Sequence, residues 1–319
     1  MKLGLYFAVC NHLKLEEAIE KIAAIGYQTV ELSTHTGGRF DLGHKWEGHH
    51  DRKDTIARFN KYGIRVTAIN MSHDGQLILG PHHADTDLFF KGSAEEKIRY
   101  GTVRMIKAAE LAHELEIPVV TGFTGCEDYS RWFPWPDPDG WRKMEPLFRE
   151  RWEPILKRFD ELGILFGMEC HPKQMVYNTE TALQSTMLFN DFKSWKFNLD
   201  PANLMLAGVD PVVFVAELGS NIVNVHAKDG EMVCHNIRKS GLLANGPWKR
   251  PDRGFRFRIA GWGDVQWKKL ITELVLKGYT GALTVEHEDP TMGPIEGIEK
   301  AASFLNPLLI KEPFSDRWW

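Results

Sequence analysis

Residues Leu165-Phe166-Gly167-Met168-Glu169-Cys170-His171-Pro172 run mostly apolar, meet a carboxylate and an imidazole, and stop at proline. That order reads as a buried strand carrying polar groups at its C-terminal tip. Three later stretches repeat it: Trp195-Lys-Phe-Asn-Leu-Asp200-Pro201, Ile222-Val-Asn-Val-His226 and Ala282-Leu-Thr-Val-Glu286-His287-Glu288. Each is a short β-prone run with its charge at the far end. Strands ending in Glu169, Asp200, His226 and Glu286 suggest one site assembled from four directions. Three carboxylates and an imidazole form a ligand set for a divalent metal.

Working outward, the chain alternates strand-like and helical segments. Leu3–Ala8 precedes a helical pattern over Leu15–Ile25 that Gly26 closes, and Gln28–Ser33 is the second strand. A helix over Asp51–Tyr62, a strand over Ile64–Asn70, a helix over Glu95–Leu115 and a strand over Ile117–Gly122 follow. Helices at Glu150–Leu162, Thr179–Phe192, Pro211–Leu218 and Trp267–Leu276 separate or follow the remaining strands. Eight strands alternating with helices predict an α/β (β/α)₈ barrel, one domain over 1–319, with function on the loops at the C-terminal face. No glycine fingerprint follows the first strand, which disfavours a doubly wound sheet. Two loops are long. Phe123–Trp141 after the fourth strand offers Trp132 and Trp135 as flat faces for a sugar ring or an aromatic group, or simply buries itself on the barrel rim. The insertion 230–262 after the seventh strand carries Arg238, Lys239, Lys249, Arg250, Arg253, Arg256 and Arg258. It is expected to reach over the site, to dock a neighbouring subunit, or to be solvated charge.

The 319 residues suffice for a large core. Lys and Arg number 39 against 43 Asp and Glu, a net charge of −4, which argues against a nucleic-acid surface and an acidic membrane surface. Cys10, Cys126, Cys170 and Cys234 are too scattered for a zinc ribbon or a disulfide scaffold, so reduced thiols in a cytoplasmic protein are expected. No secretory leader and no run of roughly 20 apolar residues is present, so no membrane partner is expected.

The order Glu, Asp, His, Glu on the last four strands, with Phe197-Asn-Leu-Asp200-Pro201, Val225-His226-Ala-Lys228-Asp229 and Val285-Glu286-His287-Glu288-Asp289, resembles the xylose isomerase-like barrel superfamily of sugar isomerases and epimerases. The resemblance spans nearly the whole chain, including Asn70-Met-Ser-His73-Asp-Gly-Gln-Leu. It implies that Glu169, Asp200, His226 and Glu286 hold one divalent ion, Mn²⁺ foremost. Mg²⁺ and Co²⁺ suit the same oxygen-rich donors. It also implies that Glu169 and Glu286 exchange protons with a sugar through an enediolate. His171, two residues beyond Glu169 and on the same strand face, is a second base or else support for a ligand carboxylate. Lys228 points inward to polarise an oxygen, or pairs with Asp229 or Glu288. His73 is a candidate substrate contact. Asn203 stands where many members have a histidine; it can donate to a sugar hydroxyl but is a poor zinc ligand.

The leading expectation is therefore a metal-dependent sugar or keto-sugar isomerase or epimerase acting on a free sugar or glycoside. A rival begins with the same proton and ends in β-elimination from a 3-keto glycoside, as in C-glycoside deglycosidase large subunits, which work with a small partner subunit. The aromatic loop would suit an aglycone, and the arm or the tail Phe314-Ser-Asp-Arg-Trp-Trp319 would meet that subunit. Otherwise a homo-oligomer is expected. An abasic-site nuclease and a non-catalytic sugar-binding barrel are the alternatives from other classes.

Overall fold

In the computed structural model, which describes residues 1–43 and 52–312, the strands are β1 (Lys2–Tyr6), β2 (Thr29–Ser33), β3 (Arg65–Asn70), β4 (Val119–Gly122), β5 (Leu165–Glu169), β6 (Trp195–Leu199), β7 (Ile222–Met232), β8 (Phe255–Ile259) and β9 (Ala282–Val285). All but β8 are parallel neighbours in the order β1 to β7, then β9, and β9 pairs back onto β1. The sheet is a closed barrel, as the alternation predicted. Around it lie α1 (Leu15–Ile25), α2 (Arg52–Lys61), α3 (Ser72–Leu79), α4 (Ala94–Glu114), α5 (Glu145–Leu162), α6 (Thr179–Leu188), α7 (Pro201–Leu206), α8 (Pro211–Leu218), α9 (Cys234–Ser240), α10 (Trp267–Leu276) and α11 (Pro294–Leu305). Asp51, the expected start of the second helix, lies outside the described residues, as does the tail 314–319.

Helix α1 shows how sequence fixes an element. Leu15, Ala18, Ile19 and Ile22 share one buried stripe, and Gly26 at φ +103° donates to the Ile22 and Ala23 carbonyls. The main core lies between barrel and helices, where Trp152, Phe166, Phe189 and Trp195 pack ring against ring. Strands such as β7 are buried on both faces. Alternation sends Val225 and Ala227 outward to that core and Asn224, His226 and Lys228 inward to the barrel axis.

The insertion does not arch over the site as a basic arm. β7 continues six residues past His226, and β8 pairs with it antiparallel, Lys228 opposite Ile259 and Met232 opposite Phe255. Its charges are largely spent within that layer: Arg258 bonds Asp289 and Glu231, Arg250 bonds Asp252, and Arg253 stacks on Trp248. Asp229 fastens the layer down, accepting from the amides of Gly230, Gly261 and Val265 and from the Trp267 indole at 2.8–3.0 Å. Asp229→Ala is expected to cost about 3 kcal/mol of unfolding free energy in urea, because buried donors lose their acceptor together. Mn²⁺ affinity should be unchanged, since Asp229 faces away from the inward row.

Candidate metal centre

Glu169 ends β5, Asp200 follows β6, His226 lies within β7 and Glu286 follows β9. One ligand atom from each falls within 4.8 Å of the others, the one such grouping among the described residues. His226 Nδ1 lies 3.1 Å from Glu169 Oε2 and 3.2 Å from Glu286 Oε2. Asp200 serves two ends: Oδ1 caps α7 by accepting from the amides of Ala202 and Asn203, while Oδ2 faces the cluster. Asn198 donates to Glu169 Oε2 at 2.8 Å, and Asn203 donates to Glu169 Oε1 at 2.8 Å and Asp200 Oδ2 at 2.9 Å.

Lys228 stands at the edge of the cluster, its Nζ 2.8 Å from Asp200 Oδ2, 2.8 Å from Glu286 Oε2 and 3.0 Å from Glu288 Oε2. Of its expected pairings Glu288 is present and Asp229 is not. Burial alone would lower the Lys228 ammonium, but Asp200, Glu286 and Glu288 raise it well above the ordinary lysine value. Burial also disfavours charge on His226, yet Glu286, Glu31 and Glu169 carry its imidazole well above the ordinary value. Burial pushes the Asp200 carboxyl up to about 7 against the pull of Lys228. Burial would raise Glu286 too, but Lys228 and His226 outweigh it and hold it low.

The donors fit a divalent ion. Carboxylates and one imidazole are the hard and borderline ligands that Mn²⁺, Mg²⁺ and Co²⁺ accept, with no thiolate present. Glu31, Glu169, Asp200 and Glu286 are largely shielded from water. Lys228 and a protonated His226 leave the carboxylates in excess, so a dication reduces the charge imbalance that burial makes costly.

Above the cluster opens a cavity of about 380 Å³ lined by Tyr6, His35, His73, Phe89, Phe123 and His171, among others. His73, expected as a substrate contact, is there in the first turn of α3. It packs against His35 at 3.7 Å between centroids and stacks on Phe89 at 4.3 Å. Burial lowers both imidazoles, His35 to about 4, so that wall is neutral. His171 points Nδ1 toward the Pro172 carbonyl at 3.2 Å and makes no hydrogen bond to a ligand carboxylate among the described residues. Burial, then Lys228, lowers it to about 4. Asn203 also lines the cavity, but its amide polarity is the reverse of the expected donor. Both carboxylate bonds use Nδ2, leaving the buried Oδ1 without a partner.

Trp132 and Trp135 are not part of this cavity. Asp128 caps a short turn over Tyr129–Trp132, Lys143 pairs with Asp137, and the two indoles are left 51% and 75% exposed. Trp141 packs inward against Tyr129 and Tyr177. The loop's contribution to the site is Phe123, positioned where α3 passes so closely that a β-carbon on Gly75 would collide with the Phe123 carbonyl. Tyr6 and His35, which the sequence reading passed over, follow the same end-of-strand rule on β1 and β2. Glu31 lies in mid-strand, and its signal was a lone charge inside Thr29-Val-Glu-Leu-Ser33.

The sequence model of the xylose isomerase-like TIM barrel family matches residues 19–308. The chain belongs to that family. A relative from Bacillus subtilis (strain 168), "Uncharacterized protein YfiH", is 27% identical over 337 residues, covering 96% of this chain and 98% of its own. Among solved structures, the 3-keto-D-glucoside 4-epimerase YcjR of E. coli superposes with a TM-score of 0.68 at 14% identity. The "probable 3-DHS dehydratase AsbF" of Bacillus anthracis gives 0.68 at 15%. Each alignment covers 96% of this chain and 99% of the other. At such identities the likeness is one of fold. No helix among the described residues is long and apolar enough to cross a membrane.

Proposed function

We propose that this xylose isomerase-like barrel is a divalent-metal-dependent epimerase or isomerase of a neutral sugar or keto-sugar. The observation that carries the reading is the convergence of Glu169, Asp200, His226 and Glu286 within 4.8 Å beneath a polar cavity. A bound dication would supply Lewis acidity to a carbonyl oxygen and so acidify the adjoining C–H bond. Glu169 and Glu286 approach from β5 and β9. One carboxylate takes the proton from carbon. Its return from the other side inverts that carbon, and its return to the neighbouring carbon isomerises the sugar. Asn203 Oδ1 accepts from a hydroxyl, while Tyr6, His35, His73, Phe89 and Phe123 give the carbon skeleton an uncharged wall. Among the described residues no arginine lines the cavity, and its carboxylates would repel a phosphate. The fold likeness to a 3-keto-D-glucoside epimerase supports this choice of substrate class.

A second reading, β-elimination from a 3-keto glycoside with a small partner subunit, draws on His171, a neutral imidazole at the cavity with no ligand carboxylate to support. Mn²⁺-loaded protein should be incubated in D₂O with ketoses and 3-keto glycosides and followed by NMR. Deuterium at carbon with a rearranged or inverted sugar is the expected result. Release of an aglycone selects elimination, and no exchange on the panel rejects both.

A further inference from the structure

We propose that Glu31, in mid-strand on β2, is the positioning residue that sets the tautomer and aim of His226. The inference rests on the metal reading of the cluster and not on the identity of the substrate. Glu31 is fully buried, and its Oε2 lies 3.0 Å from His226 Nε2. The other ring nitrogen, Nδ1, is the one that faces Glu169 and Glu286. An imidazole that gives a lone pair to a metal through Nδ1 must keep its proton on Nε2, and an acceptor at Nε2 enforces that choice. Glu31 offers acceptors only.

The carboxylate cannot swing away from this task. Thr121 on β4 donates to Oε1 at 2.5 Å and Asn70 on β3 approaches the same oxygen at 3.3 Å. Asn224, two residues before His226 on β7, donates to Oε2 at 2.8 Å. All three are neutral donors, so among the described residues Glu31 pairs with no lysine or arginine, and its one ionisable hydrogen-bond partner there is the imidazole. Asn224 also donates to Asn198 Oδ1 at 3.0 Å, and Asn198 touches Glu169 and His226 Nδ1. The network therefore ties the metal-facing side of the ring to the side Glu31 holds.

The test compares Mn²⁺ binding by calorimetry to wild-type protein, Glu31→Gln and Thr121→Val. The glutamine would bring an amide donor among groups that already donate, so one bond must fail or the ring must move its proton to Nδ1. The expected result is a dissociation constant raised roughly 10- to 100-fold in Glu31→Gln. Thr121→Val, which removes a donor from Oε1 but keeps the bond to His226, should lose stability without a comparable loss of affinity. Equal affinity in wild type and Glu31→Gln, or equal weakening in both variants, overturns the proposal. Wild-type protein that binds no Mn²⁺ overturns the metal reading itself. Should Glu31→Gln fail to fold, ¹⁵N-histidine spectra of Mg²⁺-loaded wild-type protein decide. A proton on His226 Nε2 is expected, and a proton on Nδ1 overturns the assignment.

Discussion

Glu169→Gln is expected to lower metal-dependent hydrogen exchange at substrate carbon by about 10³-fold, within the range for removing a general base. The side chain keeps its length and one oxygen for a ligand, but it loses the ability to hold a proton taken from carbon. Asn203 and Asn198 each donate to one Glu169 oxygen, so the new amide group must break one of these bonds. Mn²⁺ content is therefore to be measured beside the rate, and the comparison made at equal occupancy. Glu286→Gln should separate the two halves of the reaction: exchange into one epimer survives while inversion is lost. His171→Gln distinguishes the second reading. If His171 is the base for elimination, its variant loses exchange and Glu169→Gln retains much of it. Full exchange by metal-loaded Glu169→Gln would remove Glu169 from the proton path.

Most of the barrel was legible because its signals are local. Apolar stripes, glycine stops and β-prone runs fixed all eight barrel strands, and α1 spans the residues its spacing predicted. The misses arise where local signal gives way to pairing. Ser72–Leu79, to which the sequence pattern assigned no element, forms α3, and α5 starts at Glu145 because a proline in its first turn opens the helix rather than blocking it. β7 runs on to Met232 because β8 supplies it with a partner. A hairpin closed across residues 233–254 leaves no turn motif to recognise.

The four proposed ligands were legible for a similar reason: each charge terminates a strand, and barrel topology puts the tips together. Their supports were not. Glu31 and His226 meet across 195 residues of sequence, and only closure of the barrel makes Glu31, Asn70, Thr121, Asn198 and Asn224 one hydrogen-bonded layer. Read singly, each is a polar residue inside a strand. Asn203 shows the same limit in another form, because the polarity of an amide depends on which neighbours have already claimed its NH₂ group. Trp132 and Trp135 lie outside the cavity, which was not legible because a sequence shows that a loop is aromatic but not which way its turns send the rings.

Metal affinity is expected to climb steeply with pH, and the sign follows from two protons in the ligand set. In the metal-free protein Glu286, Glu31 and Glu169 raise His226 well above its ordinary value, so the ring is protonated at neutral pH. Burial raises Asp200 to about 7. A dication needs the imidazole lone pair and the ionised carboxylate, so both groups must release protons as it binds. Both protons oppose binding, so the binding constant should rise with pH across the neutral range. The metal-free fold behaves oppositely. Raised histidine pKa contributes stability that is fully present below the unfolded value of about 6.5 and is lost as pH rises through the folded value. Alkaline solution should thus weaken the metal-free protein while widening the gain in thermal stability from Mn²⁺. Mn²⁺ calorimetry between pH 6 and 8, in buffers of different ionisation enthalpy, counts the protons directly. Affinity that stays flat across that range would mean that His226 and Asp200 do not give up protons to the ion, and the ligand assignment would fall with it.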